Sequence, residues 1–232
     1  MIDTLQKLED AAINYGLLPF FSNSVPGFSV EEMAAPGMLF GSDSQSYGCW
    51  EWKGPVIRRE TTAYGKFFRR KAGFVARELL PDFINYRRHA YPLIPDSIEE
   101  ELLRLIREYG TVSSTSLRQR IFGIPNSRRN SDDLIDTIGM EPIKVKRSCL
   151  ERPLQNLQMG THVCIADFVY KQTGKGERYG WGVALYSTPE IILGKEISVC
   201  DRTPDESFER LVNTVAKRFP SIPKKTIEKL LL

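Results

Sequence analysis

Apolar residues recur at helical spacing between residues 98 and 109, where they occupy positions 98, 102, 105, 106 and 109. Acidic residues fill the first turn, either Asp96 or Ser97 can cap it, and Gly110 follows as a stop signal. A second, shorter helix is predicted at residues 116–122. Two helices joined by a few small polar residues are typical of a helix-turn-helix.

A third helix is predicted at residues 150–160, with its apolar positions at 150, 154 and 157. Gln155, Asn156 and Gln158 fall on its other faces, where an amide can donate to and accept from adenine in the major groove of DNA. Residues 131–138 also have a helical pattern, which leaves open which segment is the recognition helix. Phosphate would repel the three acids of 131–138, so we favour 150–160, with an insertion before it.

Two β-rich runs, 163–170 and 179–186, flank a segment rich in Gly and Lys and predict a hairpin whose tip carries Lys171 and Lys175. Three helices followed by such a hairpin form the order of a winged helix, which indicates binding to nucleic acid. A protein-interaction or regulatory domain whose amides face water, without nucleic-acid affinity, remains the alternative.

Further helices are predicted at residues 3–15, 29–35, 205–219 and 224–231, and the proline-rich link 91–95 is a candidate domain boundary. The predicted fold class is α+β, with a winged helix-turn-helix, a β-hairpin wing, an N-terminal α/β segment and C-terminal helices. Residues 1–95 form the N-terminal segment with a basic aromatic block, 96–190 the winged-helix domain, and 191–232 helices that pack on the core. No internal repeat is evident in the sequence.

The 232 residues are 41% hydrophobic and carry a net charge of +3, which is typical of a globular protein and too mild to require nucleic acid as a partner. The charge is uneven, because residues 53–88 hold ten basic residues and three acidic ones. Aromatic residues alternate with these cations, an arrangement that can stack on bases and bind phosphates. The candidate nucleic-acid residues of this block are Trp50, Trp52, Lys53, Lys66, Arg69, Arg70, Arg87 and Arg88. For a single aromatic residue, a place in the core is the plainer interpretation.

The four cysteines form no CxxC pair, so reduced thiols in a cytoplasmic protein are expected. His162, Cys164 and Cys149 are too scattered to predict a metal site, and we expect neither a metal nor a cofactor. No apolar run approaches the length of about 18 residues that a membrane span needs, and no signal peptide is evident.

Several motif blocks between residues 50 and 190 resemble those of the AlkZ-related proteins, winged-helix relatives of bacterial DNA glycosylases that remove bulky alkylated purines and unhook interstrand crosslinks. The blocks are Trp50-Glu51-Trp52-Lys53, Tyr64-Gly65-Lys66-Phe67-Phe68, Ala72-Gly73-Phe74-Val75, Asn85-Tyr86-Arg87-Arg88, Leu157-Gln158-Met159, the run 179–186 and Thr188-Pro189-Glu190. The resemblance implies double-stranded DNA as a partner. In the glycosylases, a Gln-apolar-Gln or Gln-apolar-Asp motif near the N-terminus places a side chain against the hydrolytic water. This chain has no match to that motif, so glycosylase activity stays open.

Glu51 is the most suggestive carboxylate for catalysis, because the flanking tryptophans could hold a base. In the plain alternative, Glu51 pairs with Lys53 on the solvent side of a strand. Asp167 on the hairpin is a second candidate. No Ser/His/Asp order, phosphate loop or metal signature indicates another enzyme.

Overall fold

The computed structural model describes residues 1–41, 47–122, 150–172, 174 and 178–232. They form a mixed α+β fold with two small antiparallel sheets. Its elements are α1 (Leu5–Tyr15), β1 (Leu17–Pro19), α2 (Val30–Met33), α3 (Cys49–Ile57), β2 (Thr62–Phe68), β3 (Lys71–Ala76), α4 (Leu80–Ala90), α5 (Ile98–Tyr109), β4 (Val112–Ser113), α6 (Ser114–Phe122), α7 (Glu151–Met159), β5 (Cys164–Gln172), β6 (Arg178–Ser187), α8 (Pro189–Leu193), α9 (Pro204–Arg218) and α10 (Lys224–Leu231), with short 3-10 helices at Arg77–Leu79 and Lys195–Ser198.

The described elements repeat one topology twice. In the first unit, α1–β1–α2–α3 leads into the β2–β3 hairpin; in the second, α5–β4–α6–α7 leads into the β5–β6 hairpin. The strand orders are β1-β3-β2 and β4-β6-β5, so in both sheets the short first strand pairs with the last strand of the hairpin. No repeat is evident in the sequence. The repeated order of elements is visible only in the chain topology, which corrects that expectation.

The two units pack reciprocally. The third helix of each unit, α3 or α7, contacts the first hairpin strand of the other unit, β5 or β2, and these two strands also contact each other. Arg58 at the end of α3 binds Asp167 of β5 at 2.6 Å, and Gln158 of α7 accepts the main-chain N–H of Lys66 in β2 at 3.0 Å. Each hairpin therefore covers part of the partner unit's third helix.

The helices begin and end where local signals predict. Ser97 accepts a hydrogen bond from the N–H of Glu100 at the start of α5, and Gly110 ends it with a φ of 77°, a left-handed conformation that favours glycine. The predictions for α1, α2, α5, α9, α10 and the β5–β6 hairpin are confirmed to within about two residues at each end. Helix α7 begins at Glu151 and tolerates Pro153 in its first turn, where main-chain N–H groups have no helical partner. The predicted segment 131–138 lies outside the described residues.

The C-terminal helices close one side of the first sheet. Leu211, Val212 and Val215 of α9 and Leu230 of α10 share a buried cluster with Phe83 of α4. A second buried cluster joins α1, α3 and the first sheet to Ile165 of β5, and a third lies among α5, α6 and α7. Burial of each large apolar side chain contributes about 1.5–3 kcal/mol, so the core holds the hairpins in place.

One local prediction is wrong. The segment from Trp50 to Lys53, for which a strand was the plain alternative, lies in helix α3. Trp50 packs against Phe20 with ring centroids 5.6 Å apart, and this tertiary contact outweighs the weak helix propensity of a stretch that contains Gly54 and Pro55.

Candidate nucleic-acid interface

The turn between β2 and β3 is built from two arginines. Phe68 pairs with Lys71 across the hairpin, so Arg69 and Arg70 form a two-residue loop. Both have left-handed backbone conformations, with φ of 50° and 64°. Such turns favour Asn-Gly, and a side chain with a Cβ in this conformation costs roughly 1 kcal/mol or more per residue. Both arginines are exposed, so the turn combines backbone strain with two adjacent surface charges, which is a recognised mark of functional loops.

A cleft of about 640 Å³ opens beside this turn. Arg69, Arg70 and Lys229 bring positive charge to it, and no carboxylate side chain stands among the described residues of its wall. Tyr91, Met159 and Leu232 complete the lining. An open cleft with three cations suits a polyanion such as a phosphodiester backbone.

The two arginines of the turn are held differently. The Arg70 main-chain N–H lies 3.2 Å from Sδ of Met159, and the Arg70 guanidinium donates to Oδ1 of Asn156 at 3.4 Å. The Arg69 side chain makes no hydrogen bond or ion pair within the part of the chain that the structure describes. Arg70 therefore fixes the turn against α7, whereas no described residue holds the Arg69 guanidinium.

The amides of α7 lie in three different settings. Gln158 is 1% exposed; it donates to the carbonyl of Leu154 and accepts from Lys66, so its expected place on an outer face is wrong. Asn156 is half-buried and donates to Glu99 at 2.9 Å. Gln155, also half-buried, makes no hydrogen bond among the described residues. The hairpin of the first unit covers the flank of α7 that a helical-wheel argument leaves open.

The hairpin of the second unit joins β5 to β6. Lys171 lies near the end of β5, opposite Tyr179 in the strand register. Lys175 at the predicted tip lies outside the described residues. The basic character of this tip therefore stays a prediction from the sequence.

Helix α3 places the suggestive Trp-Glu-Trp-Lys motif in the contact between the two units. The Glu51 carboxylate accepts the N–H of Gly48 at 3.1 Å and so caps its own helix. Trp50 and Trp52 are half-buried. Lys53 is 2% exposed, donates to the Trp50 carbonyl, and has its Nζ 3.7 Å from the Trp50 ring centroid and 4.4 Å from that of Phe168.

Burial gives Lys53 unusual acid-base properties. Loss of hydration lowers the pKa of its amine to about 7, and the nearby charge of Glu51 acts in the opposite direction. The sequence predicts Lys53 at a nucleic-acid surface, but the structure buries it. Its side chain lies beside Phe168 of β5 instead.

Several other cations of the basic block are used inside the protein. Arg87 is fully buried; it donates to the carbonyls of Phe67 and Leu232 at 2.6 and 3.1 Å, and burial lowers the pKa of its guanidinium to about 10. Arg88 forms an ion pair with Glu190 at 2.6 Å. Three exposed cations of the block are also paired with carboxylates: Arg58 with Asp167, Arg59 with Glu9 and Arg77 with Glu196. Arg69, Arg70 and Lys71 are exposed without an ion pair among the described residues, and Lys66 is half-buried. The exposed cations of the block that carry no ion pair among the described residues are therefore those of the β2–β3 turn.

A family model described as AlkZ related matches residues 2–232. The chain belongs to the AlkZ-related family. Among solved structures, the chain is similar to the DNA glycosylase AlkZ of Streptomyces sahachiroi, at 12% sequence identity and a TM-score of 0.46. The alignment covers 89% of this chain and 50% of that chain, so this AlkZ-related chain spans half the length of the protein it matches. No curated protein sequence matches it.

In this AlkZ-related chain, sequence reasoning missed two features of the interface. Lys229 of α10 reaches the cleft beside Arg69 although it is about 160 positions away along the chain. The hairpin between β2 and β3 was also not predicted, although β-rich runs on either side of Arg69 and Arg70 carry the signal for one.

Other ligand classes find less support. No group of three or more His, Cys, Asp or Glu that could hold a metal ion occurs within the described ranges, and Cys149 lies outside them. Burial and the neighbouring cations Arg88 and Arg107 lower the pKa of His162, whose ring bonds the Tyr91 carbonyl at 2.9 Å. None of the helices described is long and apolar enough to cross a membrane.

Proposed function

We propose that this AlkZ-related chain binds double-stranded DNA through the tips of its two hairpins. The observation that carries the proposal is the exposed Arg69–Arg70 turn, whose left-handed backbone is unfavourable for arginine. Local stability would select Asn-Gly here. Arg70 contacts Asn156, but the Arg69 side chain pairs with no described residue, which supports a role for Arg69 other than folding. Lys71 and Lys229 add charge beside the turn, and Lys171 and Lys175 give the second hairpin the same character in sequence.

The repeated topology supports two winged-helix units rather than the single one predicted from the sequence. Helix, short strand, two helices and a hairpin is the order of a winged helix, with the hairpin as wing. In this proposal residues 1–95 contain the first unit and residues 96–190 the second, and residues 191–232 are the packing helices. The paired wings then act together, since the two units contact each other through β2 and β5.

Helix α7 has little polar surface left that could read bases. Gln158 is buried and Asn156 is bonded to Glu99, which leaves Glu151, Arg152 and Gln155 as the accessible polar groups of α7. The charge of Glu151 is unfavourable beside phosphate. Contacts to phosphates position a protein on DNA but carry no sequence information. We therefore propose binding that depends on DNA shape and charge with little sequence preference.

The double substitution Arg69→Asn with Arg70→Gly is expected to separate binding from stability. It gives the turn its preferred residues and should raise the free energy of unfolding by about 1 kcal/mol. It also removes two phosphate-binding groups and should weaken duplex binding by at least about tenfold. Fluorescence anisotropy with a labelled 20-base-pair duplex and chemical denaturation measure the two effects.

Arg104→Gln is the matched control, because Arg104 is exposed but already paired with Glu101 and Glu108 on α5. It should change duplex affinity by less than twofold. A double variant at the turn that is more stable and binds duplex as tightly as the wild type would reject the turn as a DNA contact.

Catalysis, where it occurs, is proposed to rest on Glu51 and to be weak on ordinary alkylated purines, because the family's glutamine motif has no match here. Glu51→Gln should lower single-turnover base release by about 10² to 10⁴ and leave duplex affinity nearly unchanged. Duplexes with alkylated or crosslinked purines are assayed for abasic sites. Equal release by both proteins would reject Glu51, and the absence of release on every substrate would favour a binding protein without enzymatic activity.

A protein-interaction or regulatory module is the second candidate function. The observation in its favour is the internal use of cations: Lys53 and Arg87 are buried, and Arg58, Arg59 and Arg88 are paired with Asp167, Glu9 and Glu190. Duplex affinity that is undetectable at low salt would favour this candidate.

A further inference from the structure

A second cleft, of about 350 Å³, is also lined by Arg69 of the turn. Phe21 gives it aromatic surface, and the buried Phe68, Pro19 and Leu230 form its apolar base. Arg69 and Lys71 stand in its wall as cations. Its size lies at the lower end of the range for small-molecule sites, and it combines aromatic surface with positive charge.

Phe21 is the side chain in this cleft best placed to stack on a planar ligand. It is half-buried, and its ring is held by Phe20 and Trp50, with centroids 5.2 and 6.1 Å away. A ring fixed by its neighbours loses little conformational entropy when a ligand stacks on it. Stacking of a nucleobase on an aromatic side chain contributes independently of base identity.

The polar groups of the cleft support binding without base selection. Asn23 donates to the Phe28 carbonyl at 2.8 Å and accepts the N–H of Val25 at 2.9 Å, so its amide is already used by the loop. Lys71 Nζ donates to the carbonyl of Ser22 at 3.4 Å. Arg69 has no partner among the described residues and is the cation available for an anionic group.

We propose that this cleft holds one unpaired nucleotide of a DNA strand, with its base against Phe21 and its phosphate on Arg69. The proposal rests on the proposed DNA binding and adds a site for an extrahelical nucleotide beside the turn that binds the backbone. The ligand chemistry is that of a base with an attached phosphate, which a free nucleotide shares. Continuity with the turn favours the strand, because Arg69 belongs to both clefts.

The test compares the Kd values of three duplexes: one fully paired, one with a single unpaired adenine, and one with an unpaired abasic residue in its place. Wild-type protein should bind the unpaired adenine about tenfold more tightly than the abasic residue, since only the former can stack. Ser24→Trp fills the cleft from an exposed loop position and should abolish this preference while it keeps the affinity for the paired duplex within twofold. Ser24→Ala leaves the cleft open and should keep the preference.

Equal affinity of the wild type for adenine and abasic duplexes, or a preference that survives Ser24→Trp, would overturn the proposal. Free dAMP that binds more tightly than the unpaired-adenine duplex would overturn the assignment to a strand. Binding to the fully paired duplex distinguishes failure of the cleft proposal from failure of the proposed DNA binding. Paired binding without an adenine preference rejects the cleft alone, whereas the lack of binding to all three duplexes rejects DNA binding as well.

Discussion

Replacement of Asp82 by asparagine is expected to lower the free energy of unfolding by about 1.5–3 kcal/mol, the range typical of hydrogen bonds to a charged group. Asp82 is 1% exposed on α4. Its carboxylate forms an ion pair with Arg210, lies 3.2 Å from Arg202 Nη1, and accepts the hydroxyl of Ser207 at 3.1 Å. These partners belong to α9 or to the segment before it, so Asp82 links that part of the chain to α4.

Asparagine keeps the shape of Asp82 but turns one oxygen into an amide donor that faces arginines. For a chain of this length the loss corresponds to a fall in Tm of roughly 3–12 °C. Thermal denaturation followed by circular dichroism measures it. Asp3→Asn is the control, because the exposed Asp3–Lys7 ion pair should contribute at most about 0.5 kcal/mol. Equal Tm shifts in the two variants would contradict the role assigned to Asp82.

Lys53→Met is expected to stabilise the protein by about 2–4 kcal/mol below pH 7. The buried amine of Lys53 has its pKa lowered to about 7, whereas the unfolded chain keeps the ordinary value near 10.5. Between these pH values the unfolded chain holds the extra proton, so this group makes stability rise with pH, by at most about 1.4 kcal/mol per pH unit. Methionine fits a similar volume beside Trp50 and Phe168 without a charge to desolvate.

Chemical denaturation of both proteins between pH 6 and pH 10 measures this difference. The gain from Lys53→Met should be largest at pH 6 and should shrink as the pH rises through the window from about 7 to 10.5. Lys7→Met, at an exposed position, should give a small effect that does not vary with pH over this range. A destabilised Lys53→Met protein, or a gain independent of pH, would contradict the burial cost assigned to Lys53.

Local signals explain which parts of the fold the sequence predicts. Helix α5 is predicted correctly because its apolar spacing, the cap at Ser97 and the stop at Gly110 all lie within the segment itself. The same holds for the β5–β6 hairpin, because its two β-rich runs flank a segment rich in Gly and Lys. The family is also predicted from motifs that the chain carries.

Non-local packing explains the failures. Helix α3 forms where propensity is weak, because Trp50 packs on Phe20 and Lys53 is covered by Phe168, more than 100 positions away. Gln158 is buried by β2 for the same reason. The duplicated topology escapes detection because the two units share an order of elements and not a pattern of residues. The positive φ of Arg69 could not be foreseen from residue types that avoid such turns.

The salt dependence of duplex binding tests the central claim, that the hairpin tips bind DNA phosphates. The slope of log Kd against log salt should fall by about 1.8 when Arg69 and Arg70 are replaced and by a similar amount when Lys171 and Lys175 are replaced, because each lost phosphate contact removes about 0.9. Arg104→Gln should give the same slope as the wild type. Slopes unchanged in both tip variants would contradict the account, since the bound DNA would then lie elsewhere on the chain.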